Sequence, residues 1–245
     1  MKRVRLVVAY DGTNYHGWQV QPNGITIESV LNSCLSKLLG EEIHIIGASR
    51  TDSGVHALCN IAVFDTETRI PGEKISYALN QRLPDDIRIR KSEEIDLNWH
   101  PRYCDSIKTY RYKIWCSEFP MPTVRLYSHF TYYHLRVDLM QEACQYLIGK
   151  HDFKSFCSRR TQTETTIRTI TNLHITQQDE MITIEISGTG FLYNMVRIIV
   201  GTLLKVGISV YPPEHVKEIL EAKDRMKAGP VAPANGLTLF SYEFL

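Results

Sequence analysis

The sequence predicts an α+β fold made of two halves, and three observations support this prediction. The chain of 245 residues is 43% hydrophobic and 22% charged, which is typical of a globular protein with a sizeable core. Up to Ile95, apolar residues follow strand or helix periodicity in the order β-α-β-β-α-β, which is the ferredoxin-like or split βαβ unit. The second half has a similar order of elements with insertions, although no sequence repeat relates the two halves.

In the first half, residue types at the ends of the apolar segments define the elements. Thr26 is a favourable N-cap for the first helix, and Gly40 is typical of a helix C-terminus. Pro71 suits the first turn of the second helix. We therefore predict helices from Thr26 to Gly40 and from Pro71 to Leu83, and strands Val4–Tyr10, Ile43–Arg50, Cys59–Thr66 and Ile87–Ile95.

A junction is predicted at Pro101–Ser106, which separates an N-terminal half, 1–105, from a C-terminal half, 106–245. The C-terminal half carries an inserted basic loop with Arg159 and Arg160, which is either a solvated face or an arm that contacts phosphates. The other predicted elements of this half are strands Lys108–Cys116, Tyr127–His134, Arg168–Thr176, Met181–Gly188 and Leu237–Leu245, and helices Val137–Ile148, Phe191–Val206 and Glu214–Ala222.

Composition excludes several classes of protein. The chain has no apolar run of membrane-spanning length and no signal-peptide pattern, and its six cysteines form no C-x-x-C motif. Reduced thiols in a cytoplasmic protein are therefore expected, and the nine histidines show no metal-binding spacing. A net charge of +1 argues against a protein that coats nucleic acid through its overall charge. It does not exclude a protein that binds nucleic acid through local basic patches.

We interpret the polar segment Gly47–Ala57, which lies between two apolar strands, as the centre of the chain's organisation. Its sequence is Gly-Ala-Ser-Arg-Thr-Asp-Ser-Gly-Val-His-Ala, rich in residues that form turns. Asp52 lies at its centre and Arg50 precedes it by two positions. Loops between strands often present chemistry on a rigid scaffold, although composition alone favours a polar turn with a solvated aspartate.

Arg197 is unusual because it lies between Val196 and Ile198 in a strongly apolar helix. An arginine in such a helix either extends to solvent from the helix edge or needs a carboxylate partner. Asp52 is a natural partner, because a nearby arginine keeps a carboxylate ionised and usable as a nucleophile or base. Tyr110 likewise has two interpretations, a core strand residue or an aromatic ring that stacks on a base.

Together these segments resemble the tRNA pseudouridine synthase A family, and the resemblance extends from the first strand to the last. The chain differs at Leu58-Cys59-Asn60, where the family commonly has a Gly-Gln pair. The motifs that carry the resemblance are Arg50-Thr-Asp-Ser-Gly-Val-His-Ala57, Lys108-Thr-Tyr-Arg-Tyr112, Gly190-Phe-Leu-Tyr-Asn-Met-Val-Arg197, Gly17-Trp-Gln-Val-Gln21, His151-Asp-Phe153 and Pro233-Ala-Asn-Gly-Leu237.

The resemblance implies two ferredoxin-like halves whose antiparallel sheets join around a central catalytic cleft, and a homodimer in which one tRNA touches both subunits. It implies conversion of uridine to pseudouridine at positions 38–40 of the anticodon stem-loop, without metal or cofactor. Asp52 would be the nucleophile, attacking either the uracil ring or the ribose anomeric carbon. Tyr110 would pack on the target base and Arg197 would pair with Asp52. Arg50 and the Arg159-Arg160 loop would hold phosphates.

Two other functional classes are possible for this order of elements. Paired ferredoxin-like units are similar to RNA-recognition motifs, but those need aromatic pairs on a Gly-rich central strand, which no segment here provides. A protein-interaction scaffold would not need an acid, a tyrosine and a helix arginine placed to meet. The sequence therefore favours the enzyme.

Overall fold

The computed structural model describes residues 1–158 and 163–245, so Arg159 and Arg160 lie outside the described residues. The fold is α+β, as predicted. It has few helices, and its strands pair mostly antiparallel. Within the described part of the chain, no helix is long and apolar enough to cross a membrane.

The chain divides into two compact units, which are residues 1–105 with 238–245, and residues 106–237. We expected the closing strand in the second half, but it groups with the first unit. Its pairing contributes to this grouping, because Thr238 and Leu239 lie opposite His56 and Ala57 in parallel register.

The elements of the first unit are β1 (Lys2–Tyr10), α1 (Ile27–Leu39), β2 (Ile46–Gly47), β3 (His56–Thr66), α2 (Gly72–Asn80), β4 (Ile87–Ile95) and β10 (Leu237–Phe244). The four main strands have the order β4-β1-β3-β10, and β2 pairs with β3. Strand β1 pairs antiparallel with both β3 and β4, so it lies inside the sheet. Its side chains alternate, with every second residue from Val4 to Tyr10 buried.

The helix ends of the first unit follow from local chemistry. Thr26 caps α1 as predicted, since its hydroxyl accepts from Ser29 N while the Ser29 hydroxyl accepts from Thr26 N. Gly40 ends α1 with a φ of 69°, in the left-handed region. Helix α2 ends at Asn80, before its predicted end, and the side-chain amide of Asn80 bonds to both backbone polar groups of Ile89, at 2.8 and 2.7 Å.

The second predicted strand is much shorter than expected and consists of β2 alone. The residues before it bond to α1 rather than to a neighbouring strand. Ile43 N donates to Ser36 Oγ and Ile45 N donates to Asn32 Oδ1, each at 2.9 Å. Since these amides are already satisfied, no ladder forms there.

The elements of the second unit are β5 (Ser106–Cys116), β6 (His129–Thr131), α3 (Val137–Cys144), β7 (Gly149–Asp152), β8 (Ile167–Gln178), β9 (Met181–Gly188), α4 (Met195–Gly207) and α5 (His215–Ala222), with 3-10 turns at Gln145–Leu147, Lys154–Phe156 and Ala234–Gly236. Its strands have the order β5-β9-β8-β7, and β6 pairs parallel with β5. Helix α3 packs against β8 and against α4.

Four elements in the second unit differ by several residues from the prediction, and one of them is α3, which ends at Cys144 rather than at Ile148 and passes into a 3-10 turn. The strand expected at Tyr127–His134 is reduced to β6, and the segment expected as a loop from Gly149 contains β7. Helix α4 begins four residues later than expected, because Asn194 has a φ of 60° and Met195 N closes a turn onto Leu192 O at 3.0 Å. Apolar periodicity continues through this turn, which is why the sequence pattern did not reveal it.

Candidate active site

Asp52 occupies the first position of a tight turn in the first unit. Val55 N donates to Asp52 O at 3.1 Å, and Gly54 has a φ of 77°, as the third position of a type II turn requires. The Asp52 side chain is partly exposed and Arg50 is exposed. The predicted loop thus presents a carboxylate on a defined turn, an arrangement suited to a nucleophile or a base.

The segment after β1 holds this turn through hydrogen bonds. Trp18 N donates to Thr51 O at 3.1 Å. On the other side of Asp52, Gly54 N and Ser53 Oγ both donate to Tyr15 O at 3.2 Å. The backbone is therefore fixed on both sides of Asp52.

His56 is a residue of this site that sequence reasoning included only as part of a motif. It is buried, and its Nδ1 lies 3.0 Å from Gly12 N, which donates to it, and 3.1 Å from Asp11 Oδ1. A Cβ on Gly12 would lie 2.0 Å from Val55 O, so only glycine fits there. The strand-end sequence Asp11-Gly12 was the available signal, because Asp-Gly pairs mark tight turns.

Tyr110 lies on β5, opposite Ile186 of β9. It is 8% exposed, and its ring meets Phe191 edge-on, with centroids 5.1 Å apart and planes at 84°. This geometry is typical of a stabilising aromatic pair. The contact fixes the position of the tyrosine ring, while its stacking on a base stays a prediction.

Arg197 lies on α4 and its side chain is partly exposed. Its Nε donates to Ala232 O at 2.7 Å, and its Nη1 donates to Asn194 Oδ1 at 3.2 Å. The guanidinium is thus held by polar groups of its own unit. Its pairing with Asp52 stays a prediction.

Across 1–158 and 163–245, no group of three or more His, Cys, Asp or Glu side chains is arranged to hold a metal ion. The six cysteines are free thiols, two of them buried.

Known proteins of one family match almost the entire chain. A family model described as tRNA pseudouridine synthase matches residues 6–104 and 143–244. A protein named tRNA pseudouridine synthase A from Thermoanaerobacter sp. (strain X514) is 49% identical over 239 residues, which are 98% of each chain. Proteins of the same name from Acetivibrio thermocellus and Brevibacillus brevis are 46% and 45% identical, again over 98% of each chain. The chain therefore belongs to the tRNA pseudouridine synthase family.

Proposed function

We propose that this chain converts uridine to pseudouridine at positions 38–40 of the anticodon stem-loop of tRNA, with Asp52 as the nucleophile. The observation that carries the proposal is the turn that presents the Asp52 carboxylate. This turn lies within residues 6–104, which the family model matches together with residues 143–244. A carboxylate on a turn fixed from both sides is suited to covalent catalysis.

The reaction is an isomerisation, so its atoms balance without a second substrate. The Asp52 carboxylate attacks either the uracil ring or the ribose anomeric carbon, and the bond between uracil N1 and that carbon breaks. The base turns and its C5 bonds to the anomeric carbon, and the bond to Asp52 breaks and returns the free carboxylate, while C5 loses a proton and N1 gains one. The product has the same mass as the substrate.

The other site residues support this step in the proposal. Tyr110 packs on the target base, as expected of an aromatic residue that receives a nucleotide taken out of the stack. Arg197 pairs with Asp52 and keeps the carboxylate ionised. Arg50 and the Arg159-Arg160 loop hold phosphates, and the exposure of Arg50 supports its part.

We further propose that the fold consists of two ferredoxin-like halves whose sheets join around the catalytic cleft. We also propose that the protein is a homodimer in which one tRNA touches both subunits, and that it acts in the cytoplasm. The β4-β1-β3 order with two helices in the first unit supports the first of these. The family resemblance supports the others.

The test is to incubate the protein with unmodified tRNA, without added cofactor, and to map pseudouridine along the product. Asp52→Asn has nearly the same shape, so it tests the charge alone. We expect its single-turnover rate to fall by at least about four powers of ten, roughly 5 kcal/mol of barrier, with tRNA affinity retained. Asp85→Asn, at a fully exposed carboxylate, is the matched control and should behave like the unsubstituted protein.

Two outcomes would contradict the proposal. Absence of pseudouridine at positions 38–40 after incubation with the unsubstituted protein would refute the assigned substrate position. A folded Asp52→Asn variant that keeps more than about a tenth of the rate would remove Asp52 from the catalytic role, since it would account for less than about 1.4 kcal/mol of barrier.

A further inference from the structure

We propose that Tyr10, Thr51 and Asn60 form a buried chain of hydrogen bonds that positions Asp52, so that the Tyr10 and Thr51 hydroxyl groups contribute to the rate without touching the substrate. The inference rests on the proposed function, because it concerns the turn that presents the nucleophile. None of these three side chains was predicted as a site residue from the sequence.

The three side chains are in hydrogen-bonding contact beneath the turn. Tyr10 Oη lies 2.7 Å from Thr51 Oγ1, and Asn60 Nδ2 lies 3.3 Å from Tyr10 Oη. All three residues are buried, with exposures of 4% for Tyr10, 7% for Thr51 and 0% for Asn60. The chain of hydrogen bonds thus leads from the middle of the first unit's sheet to Thr51, the residue next to Asp52.

The direction of these bonds follows from the groups involved. Asn60 Oδ1 accepts from Ile61 N at 2.9 Å, so the amide nitrogen of Asn60 faces Tyr10 and donates to the phenol oxygen. The phenol is then free to donate its own proton to Thr51 Oγ1. Burial raises the pKa of Tyr10 above its usual range, so the phenol is protonated and able to donate at neutral pH.

The same groups also fix the backbone before Asp52. Asn60 Nδ2 donates to Ser49 O at 2.9 Å, and Trp18 N donates to Thr51 O at 3.1 Å. With Thr51 held by its hydroxyl group and by its carbonyl group, the following residue has little freedom to rotate. Such restraint matters for a nucleophile, because a displacement of about 1 Å can lower a rate about a hundredfold.

A pair of substitutions at Thr51 separates the hydroxyl group from the shape of the side chain. Thr51→Val keeps the branched shape and removes the hydroxyl, whereas Thr51→Ser keeps the hydroxyl and loses a methyl group. We expect the single-turnover rate on saturating tRNA to fall at least about tenfold in Thr51→Val and to stay within about threefold in Thr51→Ser. The affinity for tRNA should change little in both.

Thr66→Val is the matched control for a purely structural effect. Thr66 is buried at the other end of β3, and its hydroxyl bonds to the Glu41 carboxylate at 2.9 Å. The same chemical change there should lower the free energy of unfolding and leave the rate on bound tRNA unchanged. A loss of rate in this control as large as in Thr51→Val would show that the effect is only general destabilisation, and would overturn the inference.

Tyr10→Phe removes the hydroxyl group in the middle of the hydrogen-bond chain and does not depend on the folding of Thr51→Val. It should lower the same rate, and the double variant Tyr10→Phe/Thr51→Val should be no slower than the worse single variant, because both substitutions remove the hydrogen bond between Tyr10 and Thr51. Fully additive losses would overturn the inference. If the unsubstituted protein makes no pseudouridine, the proposed function fails; if it is active and both single variants match its rate, only the positioning role fails.

Discussion

Arg197 and Ala232 are joined by two hydrogen bonds that run in opposite directions. Arg197 Nε donates to Ala232 O at 2.7 Å, and Ala232 N donates to Arg197 O at 3.0 Å. The two bonds therefore link a turn of α4 to the segment at Ala232, and the side-chain bond orients the guanidinium of Arg197. In the sequence, Arg197 stood out because a charged side chain in an apolar helix needs a partner. The structure shows that one of its partners is the backbone carbonyl group of Ala232.

Arg197→Lys should lower both stability and rate, because an ammonium cannot reproduce the planar guanidinium that reaches Ala232 and Asn194 together. We expect a loss of about 1–2 kcal/mol in the free energy of unfolding and a fall of at least about tenfold in single-turnover rate. Urea unfolding and rapid-quench kinetics measure the two effects. Lys205→Arg, the reverse exchange on the same helix, should change neither. An Arg197→Lys variant with unchanged rate would show that any cation suffices.

Tyr110→Leu should lower the rate on bound tRNA by at least about tenfold, because leucine fills the strand position but offers no ring to a base. It also removes the edge-on contact with Phe191, which contributes about 0.5–1.5 kcal/mol beyond area burial. Tyr77→Leu is the control, since Tyr77 is 69% exposed on α2. If Tyr110→Leu is destabilised but keeps its rate on bound tRNA, the ring has only a core role.

Most elements of the first unit were predictable because their signals are local. The Thr26 cap, the Gly40 terminus and the β4 boundaries needed only residues within a few positions of each other, and they are confirmed. The strand predicted from Ile43 to Arg50 was too long, and the reason is non-local. Its amides bond to side chains of α1, and nothing in the strand's own sequence reports that.

The candidate site shows the same division. Asp52 stood out because turn-forming residues surround an acid, and the structure places it on such a turn. Tyr10 and Asn60 could not be assigned, because their role arises from contacts with Thr51 and Ser49, distant in sequence from Tyr10. The one available signal in the sequence was the amide side chain of Asn60 beside a run of apolar strand residues.

Stability should depend on the pH through Asp65 and Arg3, which form a two-point pair with both N–O distances at 2.7 Å. The hydrogen bond from Arg3 lowers the pKa of Asp65. Because the folded-state pKa lies below that of the unfolded chain, about 3.9, the stabilisation is complete above that value and is lost as the pH falls through the folded-state pKa. Solvent screening at this partly exposed pair limits the contribution to about 0.5–1 kcal/mol.

Asp65→Asn should therefore lower the free energy of unfolding by that amount at pH 7, and the difference from the unsubstituted protein should shrink as the pH drops below about 4. Urea unfolding at a series of pH values measures it. Asp85→Asn, at an exposed ion pair, should give a curve parallel to that of the unsubstituted protein. A deficit in Asp65→Asn that stays constant down to the lowest pH would exclude ionisation as its cause.

Gly12 and Gly40 offer a comparison between two glycines that are required for different reasons. A Cβ on Gly12 would lie 2.0 Å from Val55 O and 2.6 Å from Val55 C, which are backbone atoms of the Asp52 turn. A Cβ on Gly40 would meet no atom within 4 Å, and the constraint there is a φ of 69°. Gly12→Ala must therefore displace the turn, whereas Gly40→Ala strains only the end of α1.

We expect Gly40→Ala to lower the free energy of unfolding by about 1–2 kcal/mol and to leave the single-turnover rate unchanged. Gly12→Ala should lower stability by about 1–3 kcal/mol and the rate by about a hundredfold, because the displaced turn carries Asp52 away from its reactive position. Measuring urea unfolding and the rate on saturating tRNA for both variants separates the two effects. If Gly12→Ala folds and reacts as fast as Gly40→Ala, the contact between Gly12 and Val55 does not position the nucleophile, and the turn tolerates displacement.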